Sequence, residues 1–264
     1  MRWYVREGRR LPWRATRDPY AILVSEVMLQ QTQVARVLPA YASFLRRFPT
    51  LRALSRATLA EVLRAWTGLG YNRRARDLHR IARALPGGPP TDVPSLDALP
   101  GVGAYTAGAV ACFSTGARVA FADTNIRRVL GRILLGRVAT QREAVAIDGE
   151  LVPRDAAAWH HALMDLGATT CVWRAPRCDI CPVADLCRGR DRATPSPERH
   201  QAPFATSTRR LRGLALRRLT ASGRGMAHAR LARDLADPRA NAVIAGLARD
   251  GLVEMNGRVV RLPH

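Results

Sequence analysis

The chain has 264 residues, of which 47% are hydrophobic, so it is long enough to bury a sizeable core in about one to three domains. Its 42 basic and 21 acidic residues give a net charge of +21, which is rare among enzymes of small neutral substrates and favours a polyanionic partner, nucleic acid first. All 42 basic residues are arginine, which excludes a lysine Schiff base, lysine attachment of pyridoxal phosphate and a phosphate-loop lysine. Codon bias in a GC-rich genome is the alternative explanation of the arginine content.

Apolar residues recur at helical spacing along most of the chain, and β-branched alternation is almost absent before residue 250. Core candidates in the first helical stretch are Ile22, Val24, Val27, Met28 and Val34. We therefore predict an all-α main body, with helical segments over 19–37, 51–66, 73–85, 95–99, 105–113, 126–134 and 156–166.

The C-terminal region differs in composition from the main body. Residues 191–206 are polar and contain prolines, which predicts a linker. From His200 onward the chain has 12 Arg and 4 acidic residues. We predict a winged-helix-like domain at 207–264, with helices over 211–219, 227–235 and 239–249 and a β-hairpin over 252–260 that turns at Asn256-Gly257. A basic helical appendage that packs on the main body is the alternative.

The chain contains no run of about 18 apolar residues, and its first residues lack the apolar segment of a signal peptide. We expect a cytoplasmic protein whose five cysteines stay reduced. Four of them lie close together, at Cys171, Cys178, Cys181 and Cys187, so their thiolates can converge on one centre. Zinc and an iron–sulfur cluster both accept four thiolates, and the spacing alone does not decide between them. The fifth, Cys112, is predicted to be a buried core thiol.

A glycine-containing turn joins two predicted helices in the run Leu99-Pro100-Gly101-Val102-Gly103-Ala104-Tyr105-Thr106. Glycine permits a close backbone approach, and the amides that open the second helix can point at an anion. The pattern is typical of a helix-hairpin-helix that binds a DNA phosphate without reading sequence, through Gly101, Val102, Gly103 and Thr106. An ordinary helix end followed by a turn is the alternative.

Two carboxylates are candidates for catalysis. Glu26 lies in the otherwise apolar segment 22–29, where burial raises the pKa of a carboxyl group and suits a general acid; an ion pair at a helix edge is the alternative. Asp123 precedes the helix predicted over 126–134, either as a plain helix cap or as a carboxylate kept ionised by the helix N-terminus. One protonated and one ionised carboxylate form the pair that breaks a glycosidic bond.

Together these motifs resemble those of the MutY-type adenine DNA glycosylases, within the helix-hairpin-helix DNA glycosylases, over about residues 11 to 190. The run around Glu26 separates the adenine enzymes from their relatives better than the shared hairpin does. Besides the four cysteines, the resemblance rests on Leu11-Pro12-Trp13-Arg14, Ser25-Glu26-Val27-Met28-Leu29-Gln30-Gln31-Thr32-Gln33, Trp66-Thr67-Gly68-Leu69-Gly70-Tyr71, Leu99-Pro100-Gly101-Val102-Gly103, Asp123-Thr124-Asn125 and Met164-Asp165-Leu166-Gly167-Ala168.

The resemblance implies a six-helix barrel over 13–123 that contains the hairpin, and an iron–sulfur domain built from 1–12 and 124–190, with DNA in the cleft between the lobes. It implies one 4Fe–4S cluster on Cys171, Cys178, Cys181 and Cys187. It also implies a monomeric, nucleoid-associated bacterial enzyme of base excision repair. Such an enzyme binds double-stranded DNA with adenine opposite 8-oxoguanine or guanine, and it hydrolyses the N-glycosidic bond of that adenine.

Residue roles follow from the same resemblance. Glu26 matches the acid that protonates adenine and later activates water. Asp123 matches the carboxylate that faces the sugar cation, with Asn125 beside it. Tyr105 matches a position where some members carry a catalytic Tyr. Gln31 and Tyr71 match residues that enter the base stack beside the lesion, and Trp13 and Arg14 match the wall of the adenine pocket.

The resemblance also sharpens the meaning of the missing lysine. Bifunctional relatives carry a Lys at the position of Tyr105, which forms a Schiff base and leads to strand cleavage. Tyrosine lacks that amine, so we predict a monofunctional glycosylase that leaves an abasic site.

The chain departs from the family pattern in three places. Many members have a β-rich C-terminal domain that recognises 8-oxoguanine, and the basic tail stands here instead, so a preference for 8-oxoguanine over guanine does not follow. Asn72 and His161 replace aromatic and acid or amide residues, and His161, like His160, is predicted to be an ordinary helix residue. One hypothesis for the tail is nonspecific DNA affinity through its winged helix.

Two alternative functions are open to the chain as a whole. One is a pyrimidine-mismatch glycosylase, and the other is a redox-responsive DNA-binding protein.

Overall fold

The computed structural model describes residues 1–192 and 203–263, and in this part of the chain most residues are helical. Three short strands form one sheet, and the remaining regular structure consists of helices. The α-helices of the described residues are α1 (Arg2–Glu7), α2 (Pro19–Leu29), α3 (Val34–Arg47), α4 (Leu51–Arg56), α5 (Leu59–Ala65), α6 (Arg73–Ala84), α7 (Val93–Asp97), α8 (Ala104–Thr115), α9 (Thr124–Leu135), α10 (Gln141–Leu151), α11 (Ala156–Thr169), α12 (Thr208–Ser222), α13 (His228–Leu235) and α14 (Ala240–Arg249). The strands are β1 (Met226–Ala227), β2 (Glu254–Asn256) and β3 (Val259–Arg261).

The chain divides into two compact units. The first unit consists of Met1–Leu23 and Pro90–Arg199, and the second of Val24–Pro89 and His200–His264. The domain boundaries expected from the resemblance stay predictions. None of the helices in the described ranges is long and apolar enough to cross a membrane.

The first unit is organised around two helices, α9 and α11, that pack along each other. Ile126 and Val129 of α9 and Leu163 and Leu166 of α11 are buried. Helix α10 was missed by the sequence analysis, although Thr140 and Glu143 form a capping box at its start. The Thr-x-x-Glu pattern was the signal that could have revealed it.

The second unit buries an aromatic core where α3, α4, α5 and α6 meet. The Phe44 and Trp66 rings meet edge to face, with centroids 5.8 Å apart. The single helical stretches predicted over 19–37 and 51–66 are wrong, because each is interrupted. The first ends at Leu29, before a turn, and α3 is a separate helix. The second breaks because Thr58 and Glu61 form a new capping box that starts α5.

The C-terminal part of the second unit has the element order of a winged helix. Helix α12 is followed by β1, α13, α14 and the β2–β3 hairpin, and the antiparallel sheet has the order β1-β3-β2. Strand β1 was not predicted, because two residues carry no alternation signal. The predicted hairpin forms, but its turn is one residue later than expected: Asn256 pairs with Val259, and Gly257, with φ +56°, and Arg258 form the loop. Of the predicted linker, residues 193–202 lie outside the described residues.

Candidate active site

Asp123 caps helix α9 with every atom of its carboxylate engaged. Oδ1 accepts hydrogen bonds from the backbone amides of Asn125 (2.9 Å) and Ile126 (2.7 Å), and Oδ2 accepts one from the Asn125 side-chain Nδ2 (2.9 Å). Burial raises the pKa of Asp123, whereas these bonds and the charge of Arg128 oppose the rise. The helix cap and the candidate catalytic carboxylate are therefore the same group, held in one orientation.

A buried arginine extends this network towards the cysteine-rich loop. The Arg128 side chain donates to the Asn125 Oδ1 (2.9 Å), to the Gly167 carbonyl (2.6 Å) and to the Cys171 carbonyl (2.6 Å). Its guanidinium lies over the Trp173 ring, 4.6 Å from the centroid. A continuous chain of hydrogen bonds thus runs from the Asp123 carboxylate through Asn125 and Arg128 to the first cysteine of the loop.

Helix α11 approaches this network closely at Gly167. A Cβ placed on Gly167 would lie 2.6 Å from the Asn125 Cβ, closer than real side chains allow. The glycine in the Met164–Ala168 run is therefore needed for the position of Asn125.

A buried polar cluster supports the segment that leads into Asp123. Asp148 and His160 are fully buried, with His160 Nε2 2.7 Å from Asp148 Oδ2, and the Phe121 amide donates to the same oxygen (3.1 Å). The His160 ring stacks on Phe121 at a centroid distance of 3.9 Å. Tyr105 meets the Phe121 ring edge to face at 5.6 Å. Tyr105 therefore contacts the segment that leads into Asp123.

The predicted hairpin forms between α7 and α8, which pack together. Gly101 has φ +76°, a conformation that favours glycine, and Gly103 is the N-cap of α8. Val102 and Thr106 are buried, so their side chains do not face solvent. A DNA contact at Val102 or Thr106 would have to use the backbone.

Arg14 is held by Asp165 rather than left open. Its two terminal nitrogens donate to the two Asp165 oxygens at 2.7 and 2.8 Å, and Arg9 donates its backbone amide and Nε to the same carboxylate. Burial raises the pKa of Asp165, but these bonds outweigh burial and hold it below its usual range. Trp13, which precedes Arg14 in the sequence and is the other expected pocket residue, is also buried. The guanidinium of Arg14 ties the N-terminal segment to α11.

The four clustered cysteines line a single pocket of the first unit. The rest of its wall is formed by three arginines, one threonine and several apolar side chains: Arg132, Arg177, Arg190, Thr170, Val129, Ile133, Leu166, Pro176, Val183 and Ala184. Arg132 is almost fully buried and donates to the carbonyls of Val172 (3.4 Å) and Gly189 (3.3 Å), on either side of the loop. Cys112 lies elsewhere, buried on α8, where burial raises the pKa of its thiol to about 12. Its predicted role as a core thiol is confirmed.

In the second unit, Glu26 is buried on α2. Only 5% of the residue is exposed, and its neighbours Ser25 and Val27 are buried as well. The apolar run that singled out this carboxylate therefore does form a helix whose surroundings exclude most water.

A second buried arginine, Arg74 on α6, joins the end of α2 to the turn before α6. Nη1 donates to the carbonyls of Val27 (2.8 Å), Met28 (2.9 Å) and Gln30 (2.5 Å), and Nη2 donates to the Gly70 carbonyl (3.1 Å). Burial lowers the pKa of Arg74 to about 10.

The two turns that Arg74 joins carry the two residues expected to enter the base stack. Gln31 has φ +54° and Tyr71 has φ +47°, both in the left-handed region that residues with a Cβ rarely adopt. Both side chains are exposed, Tyr71 to 39%. The Arg74 guanidinium lies 5.3 Å from the centroid of the Tyr71 ring. Of the four non-glycine residues with positive φ in the described ranges, these two fall at predicted functional positions, and the other two are Asp191 and Ala236. Both turns are bonded to the buried Arg74.

Comparison with known proteins gives the family. Residues 24–154 match the model of the HhH-GPD superfamily of base excision DNA repair proteins. An adenine DNA glycosylase of Mycobacterium tuberculosis (strain CDC 1551 / Oshkosh) is 45% identical over 228 residues, which cover 81% of this chain and 75% of that protein. One of Mycolicibacterium smegmatis is 43% identical over 265 residues, covering 96% and 90% respectively. The chain belongs to the adenine DNA glycosylases.

Solved structures agree with this family on the fold. A thermostable thymine-DNA glycosylase superposes with a TM-score of 0.67 at 29% identity, over 72% of this chain and 92% of that chain. An endonuclease III in a non-covalent DNA complex superposes with a TM-score of 0.62 at 24% identity, over 71% and 90%, and shows the shared fold.

The cysteine loop carries the family's iron–sulfur domain. Residues 174–187 match the iron–sulfur binding domain of endonuclease III, and that range contains three of the four cysteines. The pocket fits such a cluster, because four thiolates supply its ligands and the arginine side chains at its wall offset a negative charge. Of the two tetrathiolate solutions left open by the spacing, the iron–sulfur cluster is the one that the family match supports.

The buried arginines that organise this chain were not predicted from the sequence. Arg74 precedes the buried Leu78 by one helical turn, and Arg128 and Arg132 are one turn apart on the buried side of α9. An arginine at core spacing on an amphipathic helix was the available signal.

Proposed function

We propose that this chain removes adenine opposite 8-oxoguanine or guanine in duplex DNA, by hydrolysis of the N-glycosidic bond. The observation that carries the proposal is the Asp123 carboxylate, fixed by three donated hydrogen bonds in a chain whose mycobacterial relatives are named adenine DNA glycosylases. Buried Glu26 supplies the second carboxyl group.

The two carboxyl groups suit the two halves of the reaction. Glu26 donates a proton to the adenine ring as the bond from the sugar C1′ to N9 breaks and its electron pair leaves with the base. Asp123, ionised, stabilises the oxocarbenium-like sugar, and Asn125 holds the Oδ2 side of the carboxylate. Water then adds to C1′, and the ionised Glu26 carboxylate accepts a proton from that water. The products are free adenine and an abasic sugar.

Access to the base requires extrusion from the duplex. Gln31 and Tyr71 are the proposed residues that fill the vacated space, since both are exposed on turns braced by Arg74. The hairpin around Gly101 and Gly103 is the proposed phosphate contact, and Trp13 and Arg14 the proposed pocket wall. The four-cysteine loop would hold a 4Fe–4S cluster, whose ligands are Cys171, Cys178, Cys181 and Cys187; the cluster would fix the loop.

The enzyme is proposed to be monofunctional. Tyr105 stands where bifunctional relatives have lysine, and the sequence contains no lysine elsewhere. Borohydride treatment during the reaction should therefore trap no strong covalent adduct, and strands should break only after alkali. A strong adduct or alkali-independent breaks would contradict monofunctional chemistry.

A pyrimidine-mismatch glycosylase is the rival, because a thymine-DNA glycosylase shares the fold at 29% identity. Single-turnover base release should be compared for adenine opposite 8-oxoguanine, guanine, cytosine and thymine, and for thymine or uracil opposite guanine. Release of adenine opposite 8-oxoguanine or guanine, faster than from the other duplexes, is the expected result. Preferred release of thymine or uracil would overturn the proposal, and DNA binding without any base release would favour a redox-responsive binding protein.

A further inference from the structure

The C-terminal domain, residues 208–263, contacts helices α5 and α6 of the second unit at two points. Asp250, 8% exposed at the end of α14, receives hydrogen bonds from Arg73 of α6 and from Arg212 of α12, and its carbonyl accepts one from Arg76. At the second point, the Ala60 amide in the first turn of α5 donates to the Pro263 carbonyl (3.0 Å). The tail therefore has the element order predicted for a winged helix rather than that of a helical appendage, and it also packs on α5 and α6.

This attachment places the start of α12 beside Tyr71. Arg209 Nη1 donates to the Tyr71 hydroxyl at 3.3 Å, and Tyr71 directly precedes the residue that caps α6. A group that contacts the tip of a residue expected to enter the base stack lies within one side-chain length of the duplex once DNA is bound.

The domain carries a large excess of positive charge. From His200 onward there are 12 Arg and 4 acidic residues, and three of those acids already bind arginines: Asp250 binds Arg73 and Arg212, Asp237 binds Arg239, and Glu254 binds Arg261. The domain therefore has more arginines than its own carboxylates can pair with.

The distribution of these cations differs from that of an ordinary winged helix, which reads DNA with the second helix of its helix-turn-helix. That helix is α14, and its exposed residues are Asn241, Ala242 and Arg249. Helix α12 instead exposes Arg210, Arg217 and Arg218, with Arg209 half-buried beside Tyr71. Helix α13 exposes two arginines, Arg230 and Arg233. The larger number of arginines on α12 and its contact with Tyr71 together favour α12 as the surface that meets phosphates.

We propose that Arg209 and Arg210 of α12 bind DNA phosphates next to the lesion, so that the C-terminal domain extends the contact made by Tyr71. The inference rests on the proposed function, because that function places Tyr71 at the duplex. In the free protein Arg209 bonds to the Tyr71 hydroxyl; as the ring enters the base stack, the guanidinium exchanges that bond for a phosphate. Phosphate contacts add affinity and position without reading the sequence.

The salt dependence of binding tests this surface. Affinity for a duplex with adenine opposite 8-oxoguanine is measured from low to moderate salt in a Glu26→Gln background, which leaves the base in place. The R209A/R210A variant should flatten the slope of log affinity against log salt by about 1.8, since each phosphate contact contributes about 0.9. The control R230A/R233A removes the same charge from α13, where both residues are exposed, and should change the slope by less than half as much. Equal changes in both variants, or no change in the first, would overturn the proposal; the second outcome would leave an acidic protein as the candidate partner.

A second variant separates docking from charge. Asp250→Asn removes a negative charge, so charge alone predicts tighter DNA binding, whereas loosened docking of Arg209 predicts weaker binding. Weaker binding by a variant that still unfolds cooperatively supports the proposal, and tighter binding contradicts it. Adenine release by the wild-type chain is measured separately. If the wild type releases adenine but R209A/R210A leaves the salt slope unchanged, this inference alone is contradicted. If R209A/R210A flattens the slope but the wild type releases no adenine, the proposed function alone is contradicted.

Discussion

Two buried arginines organise the two units in different ways. Arg128 in the first unit connects a carboxylate, through Asn125, to the carbonyl of Cys171. Arg74 in the second unit binds backbone carbonyls of the turns that carry Gln31 and Tyr71. One arginine therefore acts on a group that takes part in the proposed chemistry, and the other acts on the conformation of residues that meet DNA.

The contrast predicts that mutations can change the rate of base release and the affinity for DNA separately. Changes around Arg128 should lower the rate of base release and leave the affinity for DNA close to that of the wild type. Changes around Arg74 should weaken the complex with the mispaired duplex and affect the rate of release from bound DNA less.

The largest effect is expected at Asp123. Asp123→Asn keeps most hydrogen bonds but removes the charge that stabilises the sugar cation, so the single-turnover rate should fall on the order of 10²–10³-fold. The dissociation constant for the mispaired duplex should stay within about threefold, a factor worth less than 1 kcal/mol. Asp155 caps α11 at an exposed position and accepts from the Ala158 amide, so Asp155→Asn is the matched control. A loss of DNA affinity equal to the loss of rate would contradict the separate effects on rate and affinity.

A smaller effect on the same step is expected for Arg128→Gln. Loss of the guanidinium charge raises the pKa of Asp123 further, because that charge opposes the effect of burial. Asp123 must be ionised to act, so the acid limb of the pH–rate profile should move to higher pH and the rate at neutral pH should fall about tenfold. Arg142→Gln, on the exposed side of α10, is the control. A lower rate with an unmoved acid limb would mean that Arg128 acts on Asp123 through position alone.

For Arg74→Gln the expected effect is on binding and stability. Several buried carbonyls lose a donor, so the free energy of unfolding should fall by about 2–4 kcal/mol. The left-handed turns at Gln31 and Tyr71 lose their brace, and affinity for the mispaired duplex should fall about tenfold, equivalent to about 1.4 kcal/mol. Arg80→Gln removes an exposed arginine of the same helix and serves as the control in urea unfolding and binding titrations. Unchanged affinity would show that the turns hold their shape without Arg74.

The smallest effect concerns stability alone. Burial lowers the pKa of His161 to about 3, while its ring stacks on Phe113 at 4.2 Å. Below the unfolded-state pKa of about 6.5, the unfolded chain takes up a proton that the folded chain refuses, so stability falls as pH falls, by up to about 1.4 kcal/mol per pH unit. His161→Phe keeps a ring on Phe113 and should flatten this dependence between pH 7 and pH 5 in urea unfolding, with base release unaltered. An unchanged pH dependence would place the loss on other groups.

Local patterns predicted the residues whose surroundings are set by neighbours in the sequence. The apolar run around Glu26 indicated a buried carboxylate, and the position of Asp123 before a helix indicated a cap; both are found. The cysteine spacing predicted one shared centre, and the four cysteines line one pocket. The turn at Gln31 and the break at Thr58 were lost because helical periodicity continues across each of them. Core spacing on their helices marks Arg74 and Arg128 as buried, but it does not reveal their partners. Several of those partners are backbone carbonyls far away in sequence, such as those of Val27 and Gly167.

The central claim is that adenine leaves by protonation from Glu26 in a chain that keeps the DNA strand intact. Its most direct test is single-turnover release of adenine from a duplex with adenine opposite 8-oxoguanine, compared for the wild type and Glu26→Gln, with binding of the same duplex measured in parallel. The account predicts release by the wild type as free adenine and an abasic site, and loss of release in Glu26→Gln with binding retained. Adenine release by Glu26→Gln at the wild-type rate would contradict it.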